Sequence, residues 1–284
     1  MIASVSIYRP DPMAPDTCVI QDNRGCLEKV CHKIMSILRE IGFLFITIYR
    51  RCLPASYTYD RPEEWNSETK ALCVLIHGLY DWPCTWNPQL EQLNNQEKID
   101  TFVPSVTAEG NCSLEEAADP ILPTILDYAK KNPGKPICLM GASNGSRIAT
   151  YLETQMRTKA PTTPIRVSTI AGIHFGSSTM NHLNGPAKCF LKPEPREEFS
   201  YGSEKAKELL KRVREPLADG VAERAYEFYA SPDDAIIPDL DSSLPFLGKG
   251  EIYHIVPGQG HCSLFGAVAE EQIATCIKWI DAHQ

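Results

Sequence analysis

From Leu27 onward, apolar residues fall at Leu27, Val30, Ile34, Ile37, Ile41, Leu44 and Ile48, spaced alternately by three and four, which predicts one face of a helix. Glu28, Lys29, His32 and Lys33 take the opposite side, while Phe43 and Ile46 make the C-terminal half apolar almost all round. Two readings of this helix stand side by side. One packs it on the body of the protein or on a neighbouring subunit, as apolar helices usually are. The other makes residues 34–51 a peripheral membrane contact, with Arg50 and Arg51 drawn to anionic lipid. A span is excluded, because Arg39 and Glu40 interrupt the stretch and the nine residues from Ile41 to Tyr49 are too few to cross a bilayer.

After a turn-rich stretch from Pro54 to Glu68, short apolar runs alternate with helical patterns to the end of the chain. Strands are predicted at Leu72–Ile76, Thr101–Val106, Pro136–Met140, Ile165–Ile170, Tyr226–Tyr229 and Glu251–Val256. Helices are predicted at the capping box Ser113-Leu114-Glu115-Glu116, at Ser146–Arg157, Glu204–Arg214 and Leu264–Ile280. Runs apolar at every position bury both faces of their sheet. The expected fold class is therefore α/β, with a mostly parallel sheet covered by helices on both faces. The expected organisation is an N-terminal helical extension over residues 1–60 and one domain over residues 61–284, with an insertion at about 180–220.

The 284 residues carry a net charge of −8 and no basic run, so no footprint for nucleic acid is present. Eleven cysteines, an odd number, scatter without C-x-x-C or zinc spacing, and Cys73 and Cys138 sit inside apolar runs. They read as packing residues in a reducing compartment, which with the absence of a secretory pattern in Met1–Asp16 gives a cytoplasmic expectation.

The chemistry is carried by Gly141-Ala142-Ser143-Asn144-Gly145, a G-x-S-x-G run between a predicted strand and a predicted helix. A serine on so tight a turn is lifted clear of the sheet, side chains two positions away on either side would collide, and the Asn144 amide lies at a helix N-terminus facing the same space.

In this the sequence resembles the α/β-hydrolase superfamily, and within it the serine lipases and esterases, from about Leu72 to the C-terminus. The resemblance also rests on Val74-Leu75-Ile76-His77-Gly78-Leu79, on Ser231-Pro232-Asp233-Asp234-Ala235-Ile236-Ile237-Pro238 and on Val256-Pro257-Gly258-Gln259-Gly260-His261. It implies an oxyanion hole built from the Leu79 and Asn144 amides, with Tyr80 as the substitute for Leu79. It also implies a triad of Ser143, Asp234 and His261, with Asp233 as the competing acid. A weaker likeness to the T-P-H-x-G-S stretch of lipases lies at Thr169–Ser177, with Gly172-Ile173 where Thr-Pro is expected. His77 reads as a structural histidine. Tyr80, Trp82 and His174 are the candidate pocket residues, although Trp82 and Trp86 could equally pack in the core.

The implied reaction is hydrolysis of a small-molecule or lipid-like ester through an acyl-enzyme, with no metal and no cofactor. The insertion reads either as a lid over the acyl pocket or as a covering segment. An acyltransferase or thioesterase on the same scaffold, and an inactive binding protein, remain the alternatives. Gly258-Gln259-Gly260-His261-Cys262-Ser263 lacks the third glycine and the following strand of a dinucleotide site, and neither a P-loop nor H-E-x-x-H occurs.

Overall fold

The computed structural model describes residues 5–8, 19–51, 64–66, 68–182 and 191–284; side chains of residues 5–8, 19–20, 43, 44, 46–48, 50 and 51 are outside the description. Pro54 to Glu63, Phe190 and the rest of residues 183–190 likewise lie outside the described residues.

The chain begins with strands β1 (Val5–Tyr8) and β2 (Val19–Asp22), which pair antiparallel, and the long helix α1 (Cys26–Arg51). There follow β3 (Ala71–Ile76), α2 (Asn87–Leu93), β4 (Ile99–Phe102), α3 (Leu114–Ala118), α4 (Leu122–Lys131), β5 (Ile137–Ala142) and α5 (Asn144–Lys159). Next come β6 (Ile165–Ile170), α6 (Ser178–Asn181), α7 (Pro193–Glu198) and α8 (Glu204–Arg214). The last part comprises β7 (Arg224–Ala230), α9 (Leu240–Ser243), β8 (Ile252–Ile255), α10 (Ser263–Ala267) and α11 (Ala269–Asp281). The pattern does not single out β1, β2, α2 or α4, and the last predicted helix is divided at Val268.

Strands β3 to β8 form one parallel sheet in the order β4-β3-β5-β6-β7-β8. In β3, Leu72, Val74 and Ile76 face one apolar layer, shared with α3, α4, α5 and α8, while Ala71, Cys73 and Leu75 face the other, shared with α2, α10 and α11. Both layers bury the strand, which is why it reads as an unbroken apolar run. Winding starts at β3, goes out to β4 and returns on the other side to β5. The strand ends of β3 and β5 therefore flank the point where the direction reverses, the place where open α/β sheets leave a crevice.

Within the predicted insertion, α8 buries Ala206, Leu209, Leu210 and Val213, and the last three join the core layer beside α5. Leu191 and Phe199 belong instead to a small separate cluster with Ile173 and Ile237, bordered by Leu79 and Met180.

Helix α1 docks in the reverse of the usual sense. Its polar side chains face the protein, and its apolar stripe faces outward, with Leu27 78%, Ile34 52% and Phe45 68% exposed. The loops beside α1 offer carbonyls and amides, which only its polar side can satisfy. Among the described residues, no helix is long and apolar enough to cross a membrane.

Candidate active site

The turn from β5 into α5 places Ser143 at φ 52° and ψ −121°, a conformation few non-glycine residues adopt. The flanking glycines are required by space: a Cβ on Gly141 would lie 2.4 Å from the Gly145 carbonyl oxygen, and one on Gly145 would lie 2.0 Å from that of Ile76. Gly78 is held just as tightly, because a Cβ there would lie 2.9 Å from the Ser143 Cβ. The β3 loop is thus pressed against the serine.

The main-chain amides of Leu79 and Asn144, next to the serine, have no main-chain acceptor among the described residues. The Tyr80 amide is taken by the Glu109 carbonyl at 2.8 Å, so Tyr80 cannot stand in for Leu79 as an oxyanion donor. The Asn144 side chain donates to the Gly110 carbonyl at 3.2 Å and lies beside Arg147, which fixes the start of α5. His77 is buried, donates from Nδ1 to the Gly78 carbonyl and accepts the Val106 amide on Nε2. Burial holds its pKa below the ordinary histidine value, and its place is structural.

At the same edge of the sheet, after β8, the His261 Nδ1 donates to the Asp234 Oδ2 at 2.7 Å. The other carboxylate oxygen of Asp234 accepts the amides of Ile236 and Ile237 at 2.8 and 2.9 Å, so the acid is held by its own loop. This leaves Nε2 as the ring atom available for proton transfer. Burial works against the charged imidazole, but the Asp234 carboxylate, aided by Glu40 and Asp81, raises the His261 pKa above its ordinary value. Ser143 and His261 are not hydrogen-bonded to one another here; contacts of this kind commonly tighten only with substrate in place.

Asp233 faces elsewhere. Its Oδ2 accepts the Gly258 amide at 2.7 Å and the buried Arg24 guanidinium at 2.6 Å, so it ties the loop after β7 to the loop after β8 and to the N-terminal segment. Helix α1 continues this bracing. Ser36 and Lys33 donate to the Asp233 carbonyl, Arg39 donates to that of Gly258, and Glu40 accepts the amides of Cys262 and Ser263 at 2.8 and 2.9 Å. None of these partners is visible in the sequence, since about two hundred residues separate them.

Of the pocket candidates, Tyr80 and Trp82 are partly exposed on the loop after β3, whereas His174 is fully buried. His174 contacts Thr150 Oγ1 and the Ser242 carbonyl, each at 3.2 Å, and burial depresses its pKa to about 4. It is a core histidine with no access to a substrate, which corrects its place among the pocket residues. Trp86 is likewise core.

Three thiols, Cys73, Cys138 and Cys276, lie with their sulfurs within 4.8 Å of one another, the one metal-ligand grouping found among the described residues. Cys73 and Cys138 are register partners on β3 and β5, and Cys276 covers them from α11. All three are fully buried, about 16 Å down the strand from Ser143. Burial pushes the thiols of Cys138 and Cys276 up, while their hydrogen bonds to Cys73 bring that thiol down to about 5.

No protein-family model matches the chain, and no curated protein matches it in sequence. Solved structures do match. The chain is similar to Est1E from Butyrivibrio proteoclasticus, with 17% identity, a TM-score of 0.52 and coverage of 78% of this chain and 93% of that one. It is similar to the Francisella virulence factor BioJ, with 14% identity, a TM-score of 0.53 and coverage of 88% and 94%. A third likeness, at 11% identity and a TM-score of 0.53, is to the peroxisomal alpha-beta-hydrolase Lpx1 from Saccharomyces cerevisiae, covering 78% of this chain and 80% of that one. Sheet order, the tight turn at Ser143 and these likenesses together give the chain the α/β-hydrolase fold.

Proposed function

We propose that the protein is a serine hydrolase of carboxylic esters with an acyl or lipid-like group. The observation that carries this reading is the His261–Asp234 hydrogen bond at the sheet edge that also presents Ser143 on its strained turn. Ser143 attacks the acyl carbonyl while His261 Nε2 takes its proton, and Asp234 holds the ring with Nε2 free and stabilises the imidazolium. The carbonyl oxygen becomes an oxyanion between the Leu79 and Asn144 amides, a contribution of about 3 kcal/mol per donor. Collapse of this intermediate expels the alcohol, protonated by His261. Water then attacks the acyl-enzyme by the same route and releases the acid.

The cluster of Ile173, Leu191, Phe199 and Ile237 beside Leu79 supports an apolar acyl group, since it borders the oxyanion loop and the acid loop together. Cysteine usage supports a reducing, cytoplasmic setting.

The test is Ser143→Ala, assayed on p-nitrophenyl esters of increasing chain length. We expect kcat to fall by about 10⁴-fold or more with unchanged circular dichroism. Retained turnover would remove Ser143 from the mechanism.

A further inference from the structure

Helix α1 turns its polar side to the protein and its apolar side to solvent. On a helical projection, the exposed Leu27, Ile34, Ile37, Leu38, Ile41 and Phe45 fall within an arc of about 100°, which Met35 extends to about 160°. From Val30 to Tyr49 that arc contains no charged residue. The charges within this stretch, Lys33, Arg39 and Glu40, lie on the opposite side and are bound to the loops after β7 and β8. A soluble helix ordinarily has the reverse arrangement.

The breadth of the face identifies its occupant. A seam with a second copy would be a narrow stripe flanked by charges. Here Cys31 and Tyr49 on one flank, with Met35 beyond them, widen it into a sheet of apolar surface. The helix also carries net positive charge in an acidic protein, as α8 does. Five lysines and arginines against two glutamates give it +3, and Arg50 and Arg51 close it, whereas the whole chain is −8. Among the described residues outside α1, the exposed large apolar side chains are Tyr80, Trp82, Ile236 and Ile252, and the first three lie on loops after β3 and β7, at the sheet edge where α1 docks. Tyrosine and tryptophan are the residues favoured at a headgroup boundary.

We infer that the outer face of α1 is the docking surface for a bilayer containing anionic phospholipid, lying in the interface without crossing it and setting the loops around Ser143 at the lipid surface. This inference stands on the helix and does not require the esterase reading.

The test uses the full chain in flotation with vesicles of phosphatidylcholine alone and of phosphatidylcholine mixed with phosphatidylglycerol. The wild-type protein should float with the mixed vesicles, less in high salt, and the pair Ile34→Glu with Leu38→Glu should reduce partitioning roughly tenfold or more. Circular dichroism and turnover of a water-soluble short-chain ester should be unchanged by that pair. Absence of vesicle binding by the wild type, or binding undiminished in the double variant, would overturn the inference. So would sedimentation showing a dimer that the same pair dissociates while vesicles are ignored, which would make the occupant a second copy. Loss of esterase activity in every assay, with vesicle binding intact, would sink the catalytic proposal alone.

Discussion

Two adjacent aspartates show how much one position matters. Asp234 holds His261, while Asp233 holds Gly258 and Arg24. Their substitutions should separate in kind. Asp234→Asn is expected to lower kcat by about 10⁴-fold, since the imidazole loses its tautomer. Asp233→Asn leaves a buried guanidinium with Asp22 as its remaining carboxylate, so it should cost about 3 kcal/mol of stability. Parallel measurement of kcat and urea midpoints for the two variants checks this, and an inverted ranking would exchange their roles. The resemblance favours Asp234, which stands four residues before Pro238 as the family's acid does before its proline, but offers nothing about the partners of Asp233, which lie in other parts of the chain. Ser143 is legible because its constraint is local: both glycines it needs are two residues away. His174 is misread because a histidine after a strand looks the same in sequence whether its ring enters the pocket or the core.

At the scale of elements, α1 is legible as a helix and illegible in its docking. Periodicity reveals an apolar side, but which side meets the protein depends on the polarity of the loops it covers. Those loops come from the last third of the chain. Glu40 makes this docking chemically consequential, because its carboxylate supports the charged form of His261. Glu40→Gln keeps an acceptor for the Cys262 and Ser263 amides and removes the charge. The acid limb of the kcat/KM pH profile should then move to lower pH by a fraction of a unit, with the plateau nearly unchanged. A purely structural glutamate would lower the plateau and leave the limb in place. The Leu191–Phe199 part of the insertion and its helix α8 have different surroundings, a division that a count of prolines and aromatics in the sequence could not reveal.

For the whole molecule, the sheet was readable because each central strand is buried on two faces. The register that brings Cys73 beside Cys138 was not, since it depends on pairing between distant segments. Acid sensitivity is also a property of the whole. His174 is neutral in the fold, with its pKa depressed to about 4, so its contribution is complete above about pH 6.5 and is lost as pH falls toward 4. His254 and His261 are shifted upward, so theirs is complete below about pH 6.5 and fades above it. Between pH 6.5 and 4 the buried His174 and His77 therefore set the slope together, His174 with a term of order 3 kcal/mol across the window. Urea midpoints across that range should fall in the wild type and fall less steeply in His174→Gln. Equal slopes in both proteins would show that the buried imidazole does not set the acid limit.

The bond from Glu40 to Ser263 joins residues 223 positions apart. At ordinary translation speeds, roughly 10–45 s separate the emergence of the helix from that of the loop it braces. Through that interval α1 has both faces uncovered, and its apolar side is free to meet a bilayer before the rest of the chain has folded. A nascent chain arrested before Tyr253 should consequently lack the site yet already be able to associate with vesicles, so delivery to a surface could precede competence. Vesicle capture of ribosome-bound chains stalled at successive lengths would time the two events.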